Sequence, residues 1–363
     1  MITRILRQKA MRGPLPGRPT ARAAGSVEHQ AMLASRLTAR DKWLLALLHE
    51  HRVLTTVQIQ DAAFPSDRSA RQRLRDLYLW RAVSRFQPFQ QLGSAPMHYV
   101  LGPAGAAVLA AEHGLEVKDL GYRHDRAMAI AHNQRLAHTI GVNDFFTSLI
   151  AHSRHIRIAE RLVVWWSEAR CARHFGDLVI PDGYGRWHTA THAGSPDREV
   201  EWFLEFDTGT ESLTKVGRKL AGYARLAEST GIATPVLVWL PTSRREAGAR
   251  TALARVHAQL DAPHTVPVAT AAADLLDPTA PYPSPAEPVW LPLTSSRTTR
   301  ATGPRYHLAE LTDAWPGLAP PADAADPAAG DGGDAPAAAP YRLPPPSPIP
   351  PRATPNRIAR GDH

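Results

Sequence analysis

Apolar residues recur at helical spacing along the first part of the chain, and they predict three consecutive helices. The helices are expected over 39–52, 56–63 and 67–82, with Thr38, Thr55 or Thr56, and Ser66 as the residues whose side chains can cap them. Two strand-like runs, 83–89 and 98–101, come next and are joined around Gly93 and Pro96, and a helix over 103–113 follows them. The first part is therefore predicted to be a small helical unit backed by a β-hairpin.

The pattern changes beyond about residue 120. A helix is predicted over 126–151, and after it apolar strand-like runs alternate with helical patterns. The strands are expected at 161–166, 177–181, 199–206, 235–240 and 266–269, and the helices at 211–228 and 244–260. Such alternation favours a mixed sheet flanked by helices, so the predicted fold class is α/β.

The two ends of the chain show no sustained periodicity. Residues 1–36 carry seven basic residues and a single acid, with Pro and Gly among them, and are expected to be a disordered basic arm. Residues 296–363 are rich in Pro and Ala, and proline cannot donate a backbone hydrogen bond, so an unpacked, disordered tail is expected there. The folded stretch between them divides into predicted domains over 37–120 and 121–295.

The third predicted helix has two chemically different faces. One face carries the apolar residues Ala70, Leu74, Leu77 and Tyr78, and the opposite face carries the polar residues Arg68, Arg71, Gln72 and Arg75. Three helices and a hairpin are the parts of a winged helix-turn-helix, whose third helix enters the major groove of DNA. Arg pairs with guanine, Gln pairs with adenine, and further Arg side chains bind phosphates. These four polar residues are the predicted DNA-binding set.

Two other interpretations of this helix remain open. A polar helix face is also what any solvent-exposed helix shows, and winged helices also serve as protein-docking modules. Salt distinguishes them, because binding to phosphates weakens steeply as the salt concentration rises and docking on an apolar surface does not.

Composition agrees with a nucleic-acid partner without proving one. The formal net charge of +8 favours a polyanion, although an Arg-rich composition also follows from a GC-rich genome. The single cysteine, Cys171, gives neither a disulfide nor a zinc-finger spacing. No apolar run reaches the length of a membrane span, and the basic first residues lack the apolar segment of a secretory signal, so a cytoplasmic location and no membrane partner are expected.

Acidic residues follow several of the predicted strands. Glu168 follows the first, Asp182 ends the second, Glu205 and Asp207 end the third, and Lys219 lies on the helix after them. Carboxylates gathered at one edge of a sheet can hold Mg²⁺, and a lysine beside them can polarise water or phosphate. The predicted catalytic set is Glu168, Asp182, Glu205 and Lys219, with Asp182, Glu205 and Asp207 as the metal ligands. Acids at strand ends are also common simply because solvated loops begin there.

Several segments together resemble the replication-relaxation family of actinobacterial plasmids and integrative elements. The matching segments are Pro181-Asp182-Gly183, the run from Phe203 to Ser212, Lys219 to Tyr223, Val236 to Pro241 with the helix that begins at Arg244, and Val289 to Pro292. The similarity spans about residues 38–293.

This resemblance implies a role in plasmid replication and in DNA relaxation during mobilisation. It also implies that the second domain is similar to the PD-(D/E)xK nucleases, with Asp182 and Glu205 as metal ligands, Glu168 as a supporting acid and Lys219 as the cation. The chain departs from that pattern at Asp207, which stands where the superfamily has its lysine.

Two principal functions and one further alternative remain open at this point. The favoured one is a sequence-specific DNA-binding accessory protein of plasmid or mobile-element replication, relaxation or mobilisation, with double-stranded DNA and possible replication or mobilisation proteins as partners. The alternatives are a Mg²⁺-dependent nicking endonuclease targeted by the winged helix, and a transcriptional regulator. Tyrosine-type nicking is disfavoured because His49-Glu50-His51 lacks the required histidine pattern, and no phosphate-binding loop supports ATP-driven work.

Overall fold

The computed structural model describes residues 19–20, 26–155, 160–190, 197–210, 213–280, 282–293, 303–321 and 343–351. Within these ranges the chain forms a three-stranded antiparallel sheet and a six-stranded mixed sheet, each with helices around it. The predicted α/β fold class is confirmed.

The predicted elements of the first part occur in the predicted order, together with a helix (α1) and a short strand (β1) that were not predicted. In sequence it contains α1 (Val27–Arg36), α2 (Ala39–His51), β1 (Leu54–Thr55), α3 (Thr56–Ala63), α4 (Asp67–Leu79), β2 (Val83–Phe86), β3 (His98–Leu101) and α5 (Pro103–Glu112). The strands pair antiparallel in the order β1-β3-β2. The side chains of Thr38, Thr55 and Ser66 cap α2, α3 and α4 as the sequence predicted.

Two boundaries in this part are shorter than predicted. Helix α4 ends at Leu79 rather than at residue 82, because Arg81 takes a positive φ of 58° and the chain turns there into β2. Strand β2 ends at Phe86 rather than at residue 89, and Pro88, which cannot donate to a ladder, follows.

The second part contains the larger sheet and its helices. In sequence it contains α6 (His124–Ala129), α7 (Leu136–His155), β4 (Glu160–Ser167), α8 (Glu168–Phe175), β5 (Gly183–Thr189), β6 (Arg198–Phe206), α9 (Leu213–Thr230), β7 (Val236–Leu240), α10 (Ser243–His257), β8 (Val268–Ala272) and β9 (Leu291–Pro292). Short 3₁₀ helices cover Val117–Leu120, Ile130–His132, Pro263–Thr265, Ala273–Leu275 and Leu308–Ala314.

The six strands are ordered β4-β5-β6-β7-β8-β9. The pairs β6–β7 and β7–β8 are parallel, and the other pairs are antiparallel. Helices α9 and α10 connect the parallel strands, which is the connection that parallel pairing requires.

The strand predicted at 177–181 is wrong. Residues 176–182 form turns and irregular chain, in which the backbone N–H groups of Leu178 and Val179 both donate to Phe175 O at 2.9 Å. The strand begins only at Gly183, since Pro181 offers no N–H and Asp182 N makes the first bond across to Leu204 O, at 3.0 Å. Asp182 therefore stands at the start of a strand and not at the end of one.

The single helix predicted over 126–151 is also wrong. The chain breaks at Asn133, whose backbone is extended (φ −78°, ψ 132°) and whose side chain accepts a hydrogen bond from Arg135 N at 2.8 Å. An asparagine side chain bonded to the backbone two residues on competes with the helix, and α7 therefore begins separately at Leu136.

One hydrophobic cluster joins the two parts. It includes Leu44 and Leu48 of α2, Phe146 of α7 and Trp165 of β4, all at most 1 % exposed. The His51 ring stacks on Trp165 with centroids 3.5 Å apart. The predicted division at residue 120 therefore separates segments that share a core.

The expected ends of the folded region also need correction. Residues 27–36, placed in the disordered arm, form α1, which Ser26 caps and whose Leu33 is fully buried. In the expected tail, Leu308 and Leu311 are fully buried, and Leu343 is 7 % exposed. A few large apolar side chains thus suffice to pack segments whose composition looked unstructured. Residues 1–18, 21–25, 294–302, 322–342 and 352–363 lie outside the described residues.

Among the described residues, no helix combines the length and the hydropathy that crossing a bilayer requires.

Candidate functional site

A cleft of about 1150 Å³ opens beside the larger sheet. One wall comes from the segment between β2 and β3, including Pro88, Gln90 and Ala95, and another from residues 131–138. Its remaining lining includes the acids Glu168, Asp182, Glu205 and Asp207, together with Lys219. The fold therefore brings all of the predicted catalytic and metal-binding residues to one cleft, but they form three separate groups within it.

The first group is Asp182, Glu205 and Lys219. Asp182 precedes β5, Glu205 lies near the end of the neighbouring β6, and both are almost fully buried, at 7 % and 5 % exposed. Lys219 reaches over from α9, with Nζ 2.5 Å from Glu205 Oε2 and 3.7 Å from Asp182 Oδ1. Lys219 also donates to Ile180 O at 3.2 Å. These three predicted residues therefore meet at one edge of the sheet.

Two residues that the sequence did not single out complete this group. The Tyr223 hydroxyl donates to Glu205 Oε1 at 2.5 Å, and His138 Nε2 lies 3.2 Å from Asp182 Oδ2. Asp182 Oδ2 also accepts a hydrogen bond from Phe206 N at 2.8 Å. Each carboxylate is thus bonded on one oxygen by a neighbour and turns its other oxygen toward Lys219.

The two carboxylates titrate differently because their partners differ. Burial would raise the pKa of Asp182, but the hydrogen bond from His138 and the charge on Lys219 outweigh it and lower the pKa below its usual value. Burial and the charge on Asp182 raise the pKa of Glu205 to about 8, against the opposing effect of Lys219. Asp182 is therefore the charged member at neutral pH, and Glu205 is the first to take up a proton as the pH falls.

The pKa values of Lys219 and His138 are both raised by neighbouring carboxylates. Burial lowers the pKa of Lys219, but Glu205 and Asp182 more than compensate and raise it overall. Burial likewise lowers the pKa of His138, and Asp182 raises it above its usual value. Both bases therefore hold their protons more firmly than in water.

Asp207 belongs to a second group, in which Arg245 and Gly209 are its partners. Arg245 of α10 binds it through Nε and through a 3.0 Å bond from Nη2 to Oδ1. Gly209 N donates to the same Oδ1 at 2.8 Å, and Gly209 takes a φ of 84° that favours glycine. Asp207, the third predicted metal ligand, thus links the turn after β6 to α10.

Glu168 forms the third group with Arg135. Its Oε1 lies 2.9 Å from Arg135 Nη2, and both side chains are more than a third exposed. Glu168 is the first residue of α8, where a negative charge also favours the helix dipole. The predicted supporting acid thus lines the cleft without joining Asp182 and Glu205 directly.

The carboxylates as arranged do not fit a Mg²⁺ site. Mg²⁺ takes oxygens in a near-octahedral shell about 2.1 Å away. The two oxygens that Asp182 and Glu205 turn inward both face the Lys219 ammonium, and Asp207 is held by Arg245. In the part of the chain that the structure describes, no group of three or more His, Cys, Asp and Glu residues is placed to hold a metal ion.

The predicted DNA-binding face lies on α4, away from these acids in sequence. Its polar residues Arg68, Arg71, Gln72 and Arg75 are all exposed, whereas Ala70, Leu74 and Leu77 on the opposite face are fully buried. Arg71 Nε lies 2.7 Å from Asp67 Oδ1, one turn earlier on the same exposed surface. The predicted division of this helix into a packed face and an outward basic face is confirmed.

Arg73 fixes the orientation of α4 on its neighbours. Its Nε donates to Asp41 Oδ1 at 2.9 Å, and its guanidinium lies 5.0 Å from the Trp80 ring centroid. Asp41 is 1 % exposed and also closes the capping box of α2. A buried acid paired with this arginine resists rotation of α4, so the exposed face stays outward.

Only some partners of the acids in the cleft could be predicted from the sequence. Tyr223 lies four residues after Lys219 on the same helix, and that spacing places them on one face. His138 and Arg245 left no such signal, because each meets its acid only through tertiary packing.

The comparisons with known proteins agree with the resemblance noted in the sequence. The family model described as replication-relaxation matches residues 45–241, which is more than half of the chain. No curated protein and no solved structure matches the chain. The matched range includes α4, Asp182, Glu205 and Lys219. The chain therefore belongs to the replication-relaxation family.

Proposed function

We propose that this chain is a sequence-specific DNA-binding accessory protein of plasmid or mobile-element replication and DNA relaxation. The observation that carries the proposal is the exposed set Arg68, Arg71, Gln72 and Arg75 on one face of α4. The family supplies the setting in plasmid replication and relaxation.

The helices and strands around α4 support a winged helix-turn-helix mode of binding. Helices α3 and α4 follow one another with a short turn between them, and the β2–β3 pair comes directly after. In that mode α4 lies in the major groove, the two-stranded segment is the wing, and Arg71, Gln72 and Arg75 contact base edges.

Binding measurements on selected DNA test the proposal. A duplex enriched from a random library by the wild-type protein is labelled, and affinity is measured by fluorescence anisotropy for wild type, Arg71→Ala and Arg75→Ala. Loss of an arginine that reads a base costs about 1–3 kcal/mol on the selected duplex and relaxes preference at that position. The matched control is Arg255→Ala, which removes an exposed arginine from α10 and should bind as wild type does.

Salt dependence separates this proposal from protein docking. Log affinity should fall linearly with log salt, with a slope of about 0.9 per phosphate neutralised. Enrichment of no sequence from the library, together with equal weak binding by all variants, contradicts sequence-specific recognition.

A DNA-nicking enzyme is the second candidate, favoured by the convergence of Asp182, Glu205 and Lys219 at one edge of the sheet. The position of Lys219 between the two acids weighs against a Mg²⁺-dependent reaction. Supercoiled plasmid carrying the selected sequence is incubated in MgCl₂ with wild type or with Asp182→Asn. Nicking by wild type that Asp182→Asn abolishes supports the enzyme, and equal outcomes for both proteins exclude Asp182 from catalysis.

A further inference from the structure

The ammonium group of Lys219 lies among three oxygen atoms. Glu205 Oε2 is 2.5 Å away, Ile180 O is 3.2 Å away and Asp182 Oδ1 is 3.7 Å away. A lysine has three N–H donors, so each of them has one oxygen to face. Two carboxylates and a main-chain carbonyl thus surround a single positive charge.

The other oxygen of each carboxylate is already bonded. Asp182 Oδ2 accepts from Phe206 N at 2.8 Å and lies 3.2 Å from His138 Nε2. Glu205 Oε1 accepts from the Tyr223 hydroxyl at 2.5 Å. These bonds orient both carboxylates so that their remaining oxygens point at the same place, which Lys219 occupies.

Carboxylate and carbonyl oxygens are also the ligands that divalent cations such as Mg²⁺ and Mn²⁺ prefer. Two nearly buried carboxylates side by side cannot both stay charged unless a cation lies between them, and without one a proton has to neutralise one of them. An ammonium group and a divalent ion can each supply the positive charge between Asp182 and Glu205. The position that the Lys219 ammonium occupies cannot also hold a divalent ion.

We propose that Lys219 is a built-in cation that fills a latent divalent-metal site, and that replacing its side chain converts this edge of the sheet into a Mn²⁺- and Mg²⁺-binding site. This inference goes beyond DNA binding and does not depend on it, since it concerns α9 and the larger sheet rather than α4. The wild-type protein then maintains this edge of the sheet without a divalent ion.

The wild-type protein gives the first measurement. Mn²⁺ binding is followed by electron paramagnetic resonance of the free ion, and thermal unfolding is recorded with MnCl₂ against NaCl of equal ionic strength. The wild-type midpoint should be the same in both salts. Mn²⁺ bound by wild type and lost in Asp182→Asn overturns the proposal, because the site would then hold a metal beside Lys219.

The variant Lys219→Ala gives the second measurement. Without the ammonium the carboxylates lose its charge and its hydrogen bonds, and Glu205 takes up a proton, so the midpoint should fall in NaCl. Mn²⁺ that displaces this proton should raise the midpoint again, by about 2–4 °C at a tenfold excess over the dissociation constant. The double variant Lys219→Ala/Asp182→Asn should lose this recovery, because one of the metal ligands is gone. Lys118→Ala removes an equally positive but exposed side chain and should show no response to Mn²⁺.

The outcomes decide whether or not Lys219 fills a site that could otherwise bind a divalent ion. Mn²⁺ binding by Lys219→Ala and not by the double variant or by Lys118→Ala supports a lysine-filled metal site. A folded Lys219→Ala that binds no Mn²⁺ overturns it, because the oxygens would then not form a metal site. Should Lys219→Ala not fold, Lys219→Ser provides the same opening, and the wild-type measurement still stands on its own. DNA affinity of wild type is unaffected by any of these results, so failure here is distinguishable from failure of the proposed function.

Discussion

At the scale of single residues, the chain uses buried ionic groups in pairs. Asp182 has His138 and Lys219, Asp207 has Arg245, and Glu50 has Arg170. A buried charge without a partner is strongly unfavourable, so each pair ties together two elements that are distant in sequence. Removing one member should therefore cost more than removing an exposed charge.

The His138–Asp182 pair makes stability depend on pH. Because the folded pKa of His138 is raised, its contribution is present below about pH 6.5, the unfolded value, and is lost as the pH rises through the folded value. Because the folded pKa of Asp182 is lowered, its contribution is present above about pH 3.8 and is lost as the pH falls. His138→Gln should therefore destabilise the protein more at pH 5.5 than at pH 8.5, as measured by urea unfolding.

His132→Gln is the control for this pH dependence, since His132 is exposed in the same segment. It should change stability little, and equally, at both pH values. A larger loss for His138→Gln at pH 8.5 than at pH 5.5 would contradict the assigned charge pairing.

The Glu50–Arg170 pair should be costly to break. Glu50 Oε2 accepts from Arg170 Nη2 at 2.8 Å, and the two residues are 1 % and 3 % exposed. Glu50→Ala leaves the guanidinium buried without its acid and should reduce the free energy of unfolding by about 3–5 kcal/mol. Glu116→Ala breaks an exposed pair with Lys118 and should cost less than about 1 kcal/mol in the same chemical denaturation experiment. Similar losses for both variants would show that the Glu50 pair is not buried in solution.

At the scale of elements, the sequence predicted which residues cap the helices, but it did not predict which elements contact each other. Thr38, Thr55 and Ser66 cap the helices for which they were chosen, because capping depends only on residues within one turn. The strand at 177–181 was mispredicted because an apolar run looks alike whether it pairs in a sheet or packs as irregular chain. Val179 belongs to a buried hydrophobic cluster that also contains Phe203 and Leu220, although it is not a strand residue.

The segment 343–351 packs on α2 and α8 through main-chain contacts that its composition did not predict. Trp43 Nε1 donates to Ser347 O at 2.6 Å, and Arg170 Nη2 donates to Leu343 O at 3.0 Å. A proline-rich segment keeps its carbonyl oxygens as acceptors although it lacks N–H donors, so indole and guanidinium groups can bind it.

Trp43→Phe tests this packing. It keeps most of the ring and removes the hydrogen bond to Ser347 O, which should cost about 0.5–1.5 kcal/mol in thermal or chemical unfolding. Ser347→Ala retains the carbonyl oxygen and removes only an exposed hydroxyl, which accepts a hydrogen bond from Ile349 N at 3.2 Å, so it should cost less than Trp43→Phe. Equal stability of Trp43→Phe and wild type would mean that the segment does not rest on α2 in solution.

At the scale of the whole molecule, the helical first part and the larger sheet share one core. The contacts include the His51–Trp165 stack and the Glu50–Arg170 pair, each with one member in α2 and the other in the β4–α8 region. Two segments that bury each other's apolar surface lose stability together when either unfolds. The exposed polar face of α4 is therefore connected to the cleft through one shared core.

Unfolding should accordingly be a single cooperative transition across both parts. Far-ultraviolet circular dichroism and tryptophan fluorescence should give the same midpoint in urea, although most of the nine tryptophans follow residue 160. Two separated transitions, one for each predicted domain, would contradict the shared core.

The sequence alone determined helices α2 to α5 with the β2–β3 pair between α4 and α5, the outward basic face of α4, the mixed sheet and the family. Each of these depends on local periodicity, on capping within one turn or on a run of neighbouring residues, and such information is contained in short segments. Only the tertiary structure decided three contacts: Lys219 lies between Asp182 and Glu205, Arg245 binds Asp207, and His138 binds Asp182. The partner of a buried charge is chosen by how helices and strands pack in space, and a one-dimensional pattern does not record those distances.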